Sequence, residues 1–234
     1  MSDHPQQLHL ALEAVREPSL TEYLSGPNAE AVAAVSALAV GEGEPFLFLF
    51  GVAGTGKTHL LQAACLAAAQ QGQQAHFVPL GTPELEPVLL DDLERLDLVA
   101  VDDVQTIAGD AAWEDALFDL FNRMRERGRR LLAAASAAPD ALPLELPDLR
   151  SRLQWGPRYC LHPLTEADCE QLLVESAQRR GMQLNRDQVR YIMNYHARDP
   201  ASLLDLVERL DGLSLREQRQ PTIPLIRQAL RDDI

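Results

Sequence analysis

The hydrophobic pattern of this chain changes its period near residue 163. Before that point, short apolar runs alternate with longer amphipathic stretches. The runs are Phe46–Phe50, 75–80, 98–101, 131–135 and 159–161, each of strand length. Between them lie helical patterns. One covers 29–40 and opens on the turn Gly26-Pro27-Asn28. A second covers 59–70 and is rich in alanine and leucine. A third carries Trp113, Leu117, Leu120, Phe121 and Met124 along one stripe. Thr82-Pro83-Glu84 opens a predicted helix that runs to residue 96. Strands alternating with helices at this spacing predict an α/β fold, a parallel sheet with both faces covered by helices.

After Pro163 the pattern is helical throughout, over 165–180, 185–196, 200–213 and 222–231. Thr165-Glu166-Ala167-Asp168 is a capping-box sequence, and Thr222-Ile223-Pro224 places a proline near the start of the last helix. The expected organisation is a polar tail over 1–25, an α/β domain over 26–162 and a small helical domain over 163–234.

Composition narrows the function classes. The chain has 234 residues, 46% of them hydrophobic, which is enough for a substantial core. Acids outnumber bases 35 to 21, for a net charge of −14. That balance argues against a primary nucleic-acid binder, because a phosphate backbone is attracted by clustered Lys and Arg. No direct sequence-specific DNA binding is expected. A local basic patch could still form around 123–130. Cys65, Cys160 and Cys169 are too few and too scattered for a disulfide framework, and they suit a reducing compartment. Cys65 falls on the apolar face of its helix, a core position. No secretion signal and no apolar run of about 20 residues is present, so a cytoplasmic protein with no membrane contact is expected. The six histidines show no metal spacing. Trp113 and Trp155 read as core or interface residues.

The strand Phe46–Phe50 runs directly into Gly51-Val52-Ala53-Gly54-Thr55-Gly56-Lys57-Thr58, a complete G-x-x-x-x-G-K-[ST] loop. Gly51, Gly54 and Gly56 let the backbone of the loop turn its N–H groups, Thr55 among them, toward phosphate oxygens. Lys57 reaches the β/γ-phosphates, Thr58 offers a hydroxyl to Mg²⁺, and the following helix adds its positive N-terminus. The expected cofactors are ADP or ATP with Mg²⁺. The run 98–101 ends in Asp102-Asp103, at the strand end where ligands of open α/β sheets bind. Asp102 is the expected Mg²⁺-site carboxylate, and Asp103 is placed to orient or polarise a water.

The loop 51–58, the segment Val101-Asp102-Asp103-Val104-Gln105 and the motif Leu149-Arg150-Ser151-Arg152-Leu153 together resemble the AAA+ ATPases of the bacterial initiator clade, the family of DnaA. Within that family the chain is most similar to the Hda-type regulatory inactivators. Matching stretches include Leu60-Leu61-Gln62-Ala63-Ala64-Cys65, Ile107-Ala108-Gly109-Asp110, Phe118-Asp119-Leu120-Phe121-Asn122-Arg123 and Thr222-Ile223-Pro224. The resemblance implies an AAA+ P-loop domain with three layers around a parallel sheet, followed by a helical lid. It spans essentially the whole chain and stops where the initiators add a helical DNA-binding domain, so no such domain is expected.

The resemblance also implies partners. Gln7-Leu8-His9-Leu10-Ala11-Leu12 is a polar anchor followed by alternating leucines, the form of an extended peptide that docks in a preformed apolar groove. Taken alone, such a segment is more often a strand or helix start packed on its own domain. It is similar to the signal by which the family's regulators bind the DNA polymerase III beta sliding clamp, which assigns Gln7, Leu8, Leu10 and Leu12 to that contact. Arg152 matches an arginine that acts on the nucleotide of a neighbouring subunit, an arginine finger supplied in trans to ATP held by DnaA. Arg150 is a neighbour with a weaker claim. The implied function is to stimulate hydrolysis of DnaA-bound ATP, inactivating the initiator and preventing re-initiation. The alternative is a self-sufficient ATPase or helicase-loader-like protein. Homo-oligomerisation, either head-to-tail or as an inhibitory pair, is left open.

Two positions depart from the initiator pattern. Relatives place an aspartate three residues before a proline after the fourth strand; here, counting from Pro139, that position is Ser136. Their helix R-x-L aligns with Ala201-Ser202-Leu203, so the arginine is replaced by Ala201, with Arg198 as a possible substitute one helical turn earlier. Both changes weaken γ-phosphate sensing and leave the β-phosphate cradle intact. Slow turnover of a held nucleotide is the expectation.

Overall fold

Alternate residues of each central strand are buried in opposite layers, which fixes the architecture. The computed structural model describes residues 18–197 and 199–231. The proposed tag at Gln7, Leu8, Leu10 and Leu12, and Arg198, lie outside the described residues. The first helix, α1 (Ala29–Ala39), follows a short 3-10 turn at Gly26–Asn28 and leads to β1 (Phe46–Phe50). In β1, Phe46, Phe48 and Phe50 face one hydrophobic layer, while Leu47 and Leu49 face the other. Then come α2 (Lys57–Gln70), β2 (Ala75–Pro79), β3 (Leu98–Asp102), α3 (Ala111–Glu126), β4 (Arg130–Ala135), α4 (Pro147–Leu153) and β5 (Arg158–Cys160). All neighbouring strands are parallel, in the order β2-β3-β4-β1-β5.

The two layers separate cleanly. α1 and α2 supply Val35, Leu38, Leu60 and Leu61 to the face that holds Leu47, Leu98, Ala100 and Leu132. α3 and α4 supply Leu117, Leu120, Leu149 and Leu153 to the face that holds Phe48, Val99, Val101 and Leu131. Each such fully buried leucine contributes roughly 2 kcal/mol by removal from water. Four helices follow, α5 (Glu166–Arg179), α6 (Arg186–Tyr195), α7 (Pro200–Glu217) and α8 (Ile223–Arg231), around their own core of Leu173, Ile192, Leu206 and Ile226. The α/β fold, its three layers and the helical C-terminal part are as the sequence led us to expect.

The helix expected over 82–96 is absent. Pro87 biases Glu86 out of the helical region, and Glu86 is extended at φ −118°, ψ 151°. Two 3-10 turns, Pro87–Leu90 and Leu93–Arg95, take its place, separated by Asp92 in the left-handed region. Conversely, α4 was not foreseen as a helix. It is only seven residues long, opens with a proline, and buries just Leu149 and Leu153. The capping box of α5 is present, with Asp168 N–H donating to Thr165 Oγ1 at 3.2 Å and Thr165 N–H to Asp168 Oδ2 at 2.9 Å. A second one, Asn185 with Gln188, starts α6.

The basic run 123–130 does not form an open patch. Arg123 and Arg127 pair with the buried Glu94 at 3.2 and 3.3 Å, and Arg129 pairs with Asp97. Arg130 donates to Leu38 O and Ala39 O, capping the negative end of α1. Arg125 lies 3.9 Å from the centre of the Trp155 ring.

Candidate functional site

The C-terminal ends of β1 and β3 flank β4, and the loop after β1 curls over this crevice. Gly51 passes so close to the chain after β5 that a Cβ there would lie 2.5 Å from Leu161 O. Gly56 has φ +85° and starts α2 without a side-chain cap. The first-turn N–H groups of α2 therefore lack a side-chain partner at the N-cap, which suits an anion at a helix N-terminus. Lys57 Nζ donates to Gly51 O at 2.7 Å and to Val52 O at 3.0 Å, which holds the ammonium over the loop. Burial is the largest influence on Lys57 and lowers its pKa, opposed by the charges of Asp102 and Asp103. Thr55 is buried, and its hydroxyl donates to Val52 O at 2.9 Å, bracing the turn through Gly54.

Thr58 and Asp102 meet on the other side of the loop. Thr58 Oγ1 donates to Asp102 Oδ2 at 2.5 Å, and Asp103 N–H donates to Asp102 Oδ1 at 2.9 Å. Burial dominates at Asp102 and raises its carboxyl above the ordinary range, against the lowering effect of the Thr58 and Asp103 hydrogen bonds. A divalent cation bridging a hydroxyl and a carboxylate suits this donor pair: two hard oxygens, one buried charge and a nearby anion cradle. Asp103 follows in the left-handed region at φ 58°.

The cavity over the loop has a volume of about 570 Å³ and reaches the helical part. Ser136 at the end of β4 lines it, as do Pro200, Ala201 and Asp205 from the start of α7. Among the described residues that line it, Lys57 is the one Lys or Arg. Position 201 thus presents a methyl group to the cavity.

Three side chains of this site escaped sequence reasoning. Tyr23 and Asn28 belong to a strap at 18–28, part of which reads as tail on sequence. Tyr23 Oη donates to Thr55 O at 2.8 Å, and its ring fills the space a Cβ on Gly56 would need, 2.5 Å away. Asn28 is buried and bonds both the carbonyl and the N–H of His162, at 2.9 and 2.8 Å, tying the strap to the link between β5 and α5. His59 stands beside Tyr23, and its Nε2 is 3.0 Å from Ser19 O. Gln105 is the third: its Nε2 donates to Asp103 Oδ1 at 2.8 Å and its Oε1 accepts from Ser136 N–H at 2.9 Å. A lone Tyr, Asn or Gln carries no periodic signal, so only the segment match around Gln105 pointed toward any of them.

Residues 166–230 match the family model of the Hda lid domain, and residues 86–159 match that of the bacterial DnaA ATPase domain. The chain is a DnaA-related AAA+ protein of the Hda type.

Solved structures share its fold. Domain III of the DnaA replication initiation protein from Thermotoga maritima superposes with a TM-score of 0.75 at 20% identity, covering 92% of this chain and 96% of that one. AMPPCP-bound DnaA from Aquifex aeolicus gives 0.69 at 21% identity, over 86% and 69%. The RuvB Holliday junction branch migration motor of Thermotoga maritima gives 0.67 at 17% identity, over 92% and 72%.

In this DnaA-related AAA+ fold, Arg152 sits on α4 and does not line the chain's own cavity. Its guanidinium lies 5.3 Å from the Trp155 ring centre and 5.9 Å from that of Phe118. Trp155 is 49% exposed, a surface position rather than a core one. α4 is anchored from beneath by Glu114, which is fully buried on α3. Its carboxylate accepts from Gly109, Glu145 and Leu146 N–H at 2.7, 3.0 and 2.6 Å. Arg150 donates to Leu144 O, the inward role that separates it from Arg152. Cys65 is mostly buried, and burial pushes its thiol up to about 12, consistent with a packing role. Among the described residues there is no cluster of metal-ligating side chains and no helix long and apolar enough to cross a membrane.

Proposed function

We propose that this protein holds ADP or ATP with Mg²⁺ in the loop cavity and acts on a partner's nucleotide. In this reading the loop Gly51, Gly54, Thr55, Gly56 and Lys57 cradles the phosphates, and Thr58 and Asp102 hold Mg²⁺. Asp103 faces the water. Gln7, Leu8, Leu10 and Leu12 dock the protein on the DNA polymerase III beta sliding clamp. Arg152 then reaches ATP held by DnaA and stabilises charge on the leaving γ-phosphoryl group. The result is conversion of the initiator to its ADP form, which prevents re-initiation. The chain works in the cytoplasm.

The observation that carries this reading is the position of Arg152. It projects from a helix braced by the buried Glu114, it is outside the lining of its own cavity, and it sits beside the exposed Trp155. An arginine so placed serves a neighbouring site better than its own. The cavity supports the rest: a complete phosphate cradle, with Ser136 and Ala201 where γ-phosphate-sensing side chains are expected.

The test measures ATP turnover by this protein alone, by DnaA alone, and by both with DNA-loaded clamp. Synergy that needs all three components is expected. Arg152→Ala should lower the stimulated rate by roughly a thousandfold while ADP binding is retained. Gln7→Ala combined with Leu10→Ala should abolish retention on the clamp in a pull-down. A second reading, a self-sufficient ATPase or helicase-loader-like protein, is favoured by the intact Thr58–Asp102 pair. It predicts rapid turnover by the protein alone, insensitive to the partner.

A further inference from the structure

Trp155 is anchored at its ring and at its backbone. Its ring centre lies 6.0 Å from that of Phe121, and Phe121 stacks at 4.4 Å on Phe46, the first residue of β1. An aromatic row thus runs from the buried Phe121 to the surface. The next residue, Gly156, leaves no room for a Cβ beside Phe46 O, so the main chain after Trp155 is packed against β1. Arg125, in the last turn of α3, places its guanidinium 3.9 Å from the Trp155 ring centre. Arg152 lies 5.3 Å from the same centre, and its carbonyl accepts from Trp155 N–H at 3.0 Å.

The two arginines at this ring differ from their neighbours. Arg123, Arg127 and Arg129 pair with Glu94 or Asp97, whereas neither Arg125 nor Arg152 has a carboxylate partner among the described residues. A carboxylate would hold a guanidinium and also cancel its charge. An aromatic face attracts the cation through the ring quadrupole and leaves the charge whole.

We propose that Trp155, steadied by Arg125, is a positioning residue that aims Arg152 at the partner's nucleotide. The inference rests on the reading of Arg152 as an arginine supplied in trans. A long arginine side chain has many rotamers, and ordering them at each turnover would raise the barrier. The indole narrows them before the partner arrives. The Phe46–Phe121 row fixes the inner edge of that indole, and Arg125 covers the ring.

The experiment is the three-component assay, with ATP-bound DnaA, DNA-loaded clamp and increasing amounts of this protein. It yields a maximal stimulated rate and a half-saturating concentration. Trp155→Ala should lower the maximal rate about tenfold and leave the half-saturating concentration and ADP binding unchanged. Trp155→Phe keeps a ring face and should restore most of the rate. Arg125→Ala should lower it about threefold. In an Arg152→Ala background neither change should have a further effect, because the three side chains act as one unit. If Trp155→Ala melts below the assay temperature, Arg125→Ala with and without Arg152→Ala decides the question. A maximal rate within about twofold of the parent in a folded Trp155→Ala would overturn the proposal. So would a Trp155→Phe as slow as Trp155→Ala, or a further loss on top of Arg152→Ala. A change confined to the half-saturating concentration would make Trp155 a docking contact and end its positioning role. If Arg152→Ala itself keeps the parent's stimulated rate, the reading of Arg152 fails and this inference fails with it.

Discussion

Thr58 Oγ1 and Asp102 Oδ2 meet at 2.5 Å across the crevice between α2 and β3, 44 residues apart in the chain. Because Asp102 is buried, its carboxyl is raised above the ordinary range. A raised pKa means stability that is complete below the ordinary carboxylate value and is lost as pH rises through the folded value. At neutral pH the ionised side chain therefore costs the fold. Asp102→Asn is expected to raise the Tm at pH 7, with the difference closing in acid. The same variant should bind ADP with an affinity that no longer depends on Mg²⁺. Thermal melts over a pH series and titrations with and without Mg²⁺ check both; an unchanged Mg²⁺ response would remove Asp102 from the metal site.

Lys57 supplies the cavity's one described Lys or Arg charge. Lys57→Ala is expected to weaken ADP by about 100-fold, equivalent to roughly 2.7 kcal/mol, through loss of a charge-assisted contact. Circular dichroism should be unchanged. An ADP affinity within twofold of the parent would mean that the phosphates lie elsewhere.

Glu114 anchors α4 through three backbone N–H groups. Burial opposes its ionisation, yet those donors and Arg150 together hold its carboxyl below the usual range. The stability it contributes is present above the ordinary carboxylate value and is lost as pH falls through the depressed folded value. Glu114→Ala removes three hydrogen bonds to a buried carboxylate and should cost about 3 kcal/mol, or roughly 6–12 °C in Tm. The gap between variant and parent should narrow in strong acid. A Tm loss under 2 °C would show that the loop before α4 finds other partners.

Tyr23 donates to Thr55 O and accepts from Asn28 Nδ2 at 3.2 Å. Tyr23→Phe keeps the ring beside Gly56 and removes both bonds, so a loss of about 1 kcal/mol is expected in denaturant unfolding. Burial raises the phenol above its ordinary value. Its contribution is therefore complete below that value and is lost as pH rises through the folded one. If Tyr23→Phe matches the parent across neutral and alkaline pH, the strap is held by Asn28 alone.

Much of this protein was legible before folding was considered. The continuous burial of β1, β3 and β4, the phosphate loop and the C-terminal helices all follow from local pattern, because unbroken apolar runs of strand length and turn chemistry act over a few residues. The loop 51–58 and Asp102 stood out because glycine, lysine, hydroxyl and carboxylate in that order suit a phosphate and its metal. The failures have physical causes too. Pro87 converted an apparent helix into 3-10 turns, and α4 is too short for its two buried leucines to show a period.

What only the tertiary structure decided is which distant groups meet. The sequence by itself determined the strands, the cradle and the residues that could take phosphate and metal. It did not decide that Tyr23 would close on Gly56, that Asn28 would bind the main chain of His162, or that Gln105 would span Asp103 and Ser136. Nor did it decide that Arg123 and Arg127 would pair with Glu94 and Arg129 with Asp97, while Arg125 and Arg152 both lie against Trp155. Most of these depend on contacts between elements tens of residues apart. Such contacts leave no periodic trace, because only chain folding brings their partners within about 3 Å.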